Sequence, residues 1–476
     1  MTPEFRSWLW LSLMASLLAC AQGGGNGAEP EALATLPASD PGRAPARVVL
    51  ISVAGLRPAD YGVGEGTLAR QSVAMPRLGQ LARQGAYAEA LEPVLPAAPY
   101  PVHATLVTGL RPDRHGLLGD EPVGPRGVQI ADIASEKRIR GIPLWRAAAA
   151  SGQSVVALNW PSTLGADISL LLPDLGVPRN DPEQRWFEEL RGEATPWLVE
   201  RMRELDETLP ELRWPTTAGR DWLVERLACE IARQPETPAL WLLAFEHSGT
   251  ALARDGPGSD GARSGLAGVD AAIGRLLECF EEADLGDSTA WIVVGDRSFF
   301  DVHTIVYPNV ALERVGLITP SPLRNSGISR WQAYVRSYGG AAVVYAADEA
   351  DALLARRALE EQAARTRAFR IVSAGQLEAL HADPEAWFGL QGEAGYGIGK
   401  SVRGLLIQAT QRKGLGGYLP SKPGSSVGFV AWGAGLRPGI RVPSLSQIDV
   451  APTVAALLGF GLGGTDGRPV EGILGR

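Results

Sequence analysis

The feature that most constrains this chain is the alternation of short β-branched runs with longer amphipathic segments. Arg47–Val53 (RVVLISV) has strand composition and no helical period. Residues 153–160, 239–245 and 290–295 read the same way. Between them, 75–84 is amphipathic, and 261–282 repeats apolar residues at Leu266, Val269, Ile273, Leu276 and Leu277. Such alternation predicts an α/β fold, a sandwich with a largely parallel central sheet and helices on both faces. Residues 181–233 read as helical, and 341–345 followed by 348–364 as strand then helix, so about 303–412 is expected to form a small inserted subdomain. Residues 452–458 predict a helix with Pro452 in its first turn and Gly459 past its end.

The N-terminus has a different character. Arg6 precedes the apolar run Trp8 to Ala19, which fits a signal-peptide core and is too short to span a bilayer. The run ends in Leu17-Leu18-Ala19-Cys20, a tetrapeptide that resembles the bacterial lipobox. Residues 1–19 are therefore expected to be a signal peptide. Cys20 is expected to be acylated and to anchor the protein in a lipid bilayer, two or three acyl chains being enough for stable anchoring. Residues 20–46 are rich in Gly, Ala and Pro and read as a flexible tether, with the folded domain at 47–476. The expected location is the bacterial cell envelope, and Ala21 after the cysteine suits the outer membrane under the enteric sorting pattern.

Charge removes one class of function. The net charge is −8, and a nucleic-acid partner would need a basic face. Lys137, Lys400, Lys413 and Lys422 are the only lysines among 45 Lys and Arg residues, a bias read as genomic composition. Cys229 and Cys279 lie in helix-like segments and are expected to be small buried apolar groups; pairing in an oxidising compartment is the alternative.

Several ordered stretches carry a resemblance. They are Val49–Pro58, then Met75-Pro76-Arg77-Leu78 through Tyr87, then Pro93–Gly109 followed by Arg111-Pro112-Asp113-Arg114-His115-Gly116. Further on come Ala157–Pro161, Val293–Asp296, Phe429–Gly439 and Ile448–Gly459. Together they resemble the nucleotide pyrophosphatase/phosphodiesterase family of the alkaline phosphatase superfamily. The resemblance implies an alkaline-phosphatase-like sandwich, two zinc ions and a Thr or Ser nucleophile. Two divalent ions would clamp the attacking and leaving oxygens of an in-line phosphoryl displacement.

Carried over position by position, the family's chemistry is largely missing. The first metal-binding Asp falls on Ala54 and the nucleophile on Pro99. The phosphate-holding Asn falls on Val102, which donates nothing. Metal positions fall on Glu246, Thr250, Asp296, Arg297 and Gly416, of which only Asp296 and arguably Glu246 retain a ligand atom. Arg297 is expected to pair with Asp296 where a zinc would sit.

The chain has five histidines. His103 and His115 match positions the family holds for structure, and His247 is a shifted-ligand candidate set beside Glu246. Asp255, Asp260 and Asp301 read as loop carboxylates or caps, and Gly414–Gly417 lacks the helix a phosphate loop needs. Arg57, Arg111 and Arg297 are candidates for residual anion affinity. The favoured reading is a pseudoenzyme with no cofactor, whose cleft takes a small anionic ligand or an envelope protein. The alternative is a metal-dependent phosphodiester or pyrophosphate hydrolase with a rearranged zinc site on Glu246, Asp296 and His247.

Overall fold

The computed structural model describes residues 42–63, 73–120, 134–175, 190–208, 216–321 and 327–475. The expected signal peptide, Cys20 and most of the tether lie outside these residues, as does part of the 181–233 segment.

Strand β1 (Arg47–Val53) forms because six of its seven residues are buried and none has helical spacing. It is paired in parallel on both sides, with β5 (Leu240–Phe245) and with β6 (Thr289–Gly295). Beyond β5 lie β3 (Val155–Trp160) and β4 (Leu170–Pro173), also parallel. On the other side, β12 (Phe429–Gly433) runs antiparallel to β6 and to β2 (Ala86–Ala88), and β13 (Ile440–Val442) closes the edge. The eight-stranded order is β13-β2-β12-β6-β1-β5-β3-β4. The sheet is thus largely parallel, as the alternation predicts.

Both faces are covered, which is why β1 is apolar from Val48 to Val53 except at Ser52. Val48 and Leu50 join a core with α2 (Pro99–Thr108), α3 (Leu144–Ala150) and α8 (Val450–Leu458). On the opposite face, Trp241 packs its ring edge on Phe280 of α6 (Asp260–Glu282) at 5.0 Å. Helix α8 starts two residues before the predicted Pro452 and ends at Gly459, which takes a φ of 76°.

A second, antiparallel sheet is built from β8 (Ala333–Ser337), β9 (Ala341–Ala346), β10 (Phe369–Val372) and β11 (Phe388–Gly392), in the order β8-β9-β11-β10. Helix α7 (Glu349–Thr366) packs on it through Ala355 and Leu359, giving this region its own apolar cluster. Both sheets belong to one compact unit. Among the described residues, no helix is long and apolar enough to cross a membrane.

One expectation is corrected here. Cys229 of α4 (Thr217–Ala232) and Cys279 of α6 are not free buried thiols but form a disulfide. The two helices pack side by side and bring the Cα atoms to 5.4 Å, within disulfide range.

Candidate functional site

Parallel strands end together, and their C-terminal edge leaves a crevice for ligands. Here β1, β5 and β6 are followed directly by Ala54, Glu246 and Asp296, and all three line one cleft of about 520 Å³. Pro99 and His103 of α2, Thr250 of α5 (His247–Asp255), Arg297 and Phe299 complete much of the wall. The structure therefore gathers the scattered positions of the sequence reading into one place. Val102 lies beneath, fully buried.

The turn after β1 survives without a ligand atom. Gly55 takes a φ of 82°, and a Cβ there would lie 2.2 Å from Leu252, so only glycine fits. Its amide donates to Asp296 Oδ1 at 2.9 Å, and Ser248 Oγ donates to the Ala54 carbonyl at 2.7 Å. The backbone still aims at Asp296, while position 54 offers a methyl group.

Asp296 is buried and its carboxylate is ion-paired with the Arg297 guanidinium. Arg297 also stacks 5.0 Å over the Phe299 ring. Space for it comes from Gly416: a Cβ at that position would sit 3.2 Å from Arg297 Cδ and 3.4 Å from its Nε. Gln447, itself buried, holds the same corner by donating to the carbonyls of Gly295 and Asp296.

Glu246 is also held by a guanidinium. Arg220 of α4 reaches its carboxylate at 2.7 Å and that of Asp174 at 3.1 Å. The backbone amides of Glu246 and His247 donate to Asp221 at 2.7 and 2.9 Å. Glu246 stands between the end of β5 and α5, as the N-cap residue of the helix, and His247 is the helix's first residue. His247 Nδ1 lies 3.2 Å from Thr217 Oγ1, and burial, followed by Arg254, lowers its pKa. His115 is fully buried against Thr105 Oγ1 at 3.1 Å.

Burial pushes the Asp221 carboxyl up to about 7, against two backbone donors that favour its ionised form. A carboxyl raised by folding contributes stability below its unfolded pKa of about 3.9 and loses it as pH rises through the folded value. Asp221→Asn is therefore expected to flatten the profile. Between pH 5 and 8 the urea midpoint of the wild type falls more than that of the variant.

The start of α2 is equally altered. A helix N-terminus offers free amides to an anion. Here Pro99 and Pro101 have no N–H, and the Tyr100 amide donates to Asp120 at 3.0 Å. The Gly414–Leu415 stretch is a short strand paired with β7 (Phe300–Val306), not a phosphate loop.

Zinc does not fit this donor set. Positions 54, 250, 297 and 416 offer a methyl, a hydroxyl, a guanidinium and no side chain. Among the described residues, no group of three or more His, Cys, Asp or Glu could hold a metal ion. Of the three arginines singled out for anion affinity, only Arg297 lines the cleft; Arg57 pairs with Asp60 at 3.0 Å. Sequence reasoning missed Arg220, Asp221, Gln447 and Arg412, the last in a loop at the cleft wall.

Comparison with known proteins gives this geometry a lineage. Rat ectonucleotide pyrophosphatase/phosphodiesterase family member 3 (Rattus norvegicus) is 23% identical over 255 residues, covering 52% of this chain and 24% of its own length. Human family member 1 (Homo sapiens) is 24% identical over 230 residues, covering 47% and 21%. The chain thus spans about a quarter of the length of these curated relatives. The solved structure of human ectonucleotide pyrophosphatase/phosphodiesterase 5 superposes with a TM-score of 0.62 at 18% identity, covering 89% of this chain and 97% of that one. An inactive form of the murine protein, solved in complex with AMP, gives 0.61 with the same coverage. These superpositions are likenesses of fold. The family description type I phosphodiesterase / nucleotide pyrophosphatase matches residues 48–385, most of the chain, and with that match the protein belongs to this family.

Proposed function

We propose that this protein is a catalytically silent member of its family. It retains the phosphodiesterase cleft to bind a small anionic ligand or an envelope protein, and it is held in the bacterial cell envelope by an acylated Cys20. One observation carries the reading. Each carboxylate left at a family metal position is engaged by an arginine, Glu246 by Arg220 and Asp296 by Arg297. A guanidinium satisfies a carboxylate with directed hydrogen bonds and repels a divalent cation from the same space. The missing hydroxyl at Pro99 and the blocked start of α2 support the same reading. The Cys229–Cys279 disulfide supports export, because such bonds persist in oxidising compartments.

The test is zinc stoichiometry with a turnover assay. After dialysis against micromolar zinc the purified protein is expected to hold close to none, and to leave bis-p-nitrophenyl phosphate intact. One or two tightly held ions per chain, lost on Glu246→Ala or Asp296→Ala, would instead favour a hydrolase with a rearranged metal site.

A further inference from the structure

One residue of the cleft lining carries a polar atom that the protein leaves unanswered. His103 is 4% exposed and lines the cleft. Its Nδ1 lies 2.7 Å from the Pro99 carbonyl, which can only accept, so Nδ1 carries the proton. Burial lowers the His103 pKa, which keeps the ring neutral and leaves Nε2 as a bare acceptor. Nε2 is buried and has no hydrogen-bond partner. An unpaired buried acceptor is costly, and a ligand N–H or O–H would relieve it.

The charges of the lining point to the rest of the ligand. Glu246, Asp296 and Arg254 are each paired, with Arg220, Arg297 and Asp255. Arg412 also lines the cleft, and among the described residues its guanidinium has no ion-pair partner. It forms a wall shared with a neighbouring cavity of about 490 Å³. Asp120 and Lys400 line that cavity too, so with Arg412 its two cations exceed its one carboxylate among the described residues, which leaves room for one negative charge near Arg412. Thr250 and Gln411 add uncharged hydrogen-bonding groups, and Phe299 adds an apolar ring.

We infer that the cleft binds a polyhydroxylated monocarboxylate of sugar-acid type, with a hydroxyl donating to His103 Nε2 and the carboxylate on Arg412. This rests on the silent-site reading and names its ligand class. The charged end of the ligand lies at the arginine loop, not at the nucleophile position.

The test compares three probes by calorimetry on the purified protein. Gluconate has both features, hexanoate only the carboxylate and sorbitol only the hydroxyls. Gluconate is expected to bind roughly tenfold or more tightly than either, the scale of one charge-assisted hydrogen bond. Arg412→Gln, at an exposed position, should remove roughly that factor for gluconate and leave sorbitol unchanged. Nitrogen NMR of the wild-type imidazole should show the Nε2 resonance move from bare to hydrogen-bonded on adding gluconate, which needs no substitution at buried His103. Equal affinity for the three probes, or a gluconate isotherm with an unmoved Nε2 signal, would overturn the assignment. An Nε2 signal already hydrogen-bonded without probe, from a resident water that gluconate does not displace, would overturn it as well. Zinc-dependent diester hydrolysis by the same preparation would defeat the silent-site reading separately, because none of these binding measurements involves turnover.

Discussion

Arg297→Ala is expected to destabilise the protein by about 3 kcal/mol or more, the scale for removing one partner of a buried ion pair. The Asp296 side chain is only 2% exposed and that of Arg297 18%, so deleting the guanidinium leaves a carboxylate facing the cleft with little solvent. The Gly55 amide remains as its donor and offsets part of the loss. Asp296→Asn combined with Arg297→Met should cost much less, since a neutral amide beside an apolar chain needs no counter-ion. Urea unfolding of Asp296→Asn, Arg297→Met and the variant carrying both closes the cycle. A near-zero coupling between the positions would mean that the pair does not organise this corner. The same cycle bears on metal exclusion. With Arg297 removed, zinc binding should stay weak, because Ala54, Thr250 and Gly416 still supply no metal ligand of the family set.

Breaking the disulfide should have an effect of similar size. The bond closes 50 residues between α4 and α6, and the chain-entropy description assigns such a loop about 4 kcal/mol. Both cysteines are buried, so Cys229→Ala with Cys279→Ala also leaves small packing defects. The double variant is expected to unfold at markedly lower urea, and the wild type should lose a comparable amount when reduced. Alkylation of both residues in denatured protein without reductant would show that the bond does not form, and would remove its support for export.

Much of this molecule is legible in its sequence. Arg47–Val53 could be read as a strand buried on both faces because only Ser52 interrupts its apolar run after Arg47. Gly55 and the residues around it allowed Ala54 to be matched by resemblance to a family metal position, because the glycine of the turn is present at φ 82°. Arg297 was legible by adjacency to Asp296. Arg220 was not: it reaches Glu246 from a helix 26 positions earlier, and nothing distinguishes it in so arginine-rich a chain. Arg412 lies in a loop whose position depends on strands the sequence does not order. The disulfide was hidden for a related reason. Its partners are 50 residues apart on two helices, and only their packing reveals that they face each other.

The start of α2 has a consequence for descent. Pro99 and Pro101 remove two amides and Asp120 engages the one between them. A threonine restored at position 99 would return a hydroxyl and one free amide, but the Tyr100 amide would stay on Asp120, position 101 would still lack an N–H, and position 54 would still offer no metal ligand. That one change therefore rebuilds part of the helix end and none of the metal set. On the silent-site reading proposed above, further changes in the cleft lining are judged by whatever the cleft holds and not by the family's chemistry.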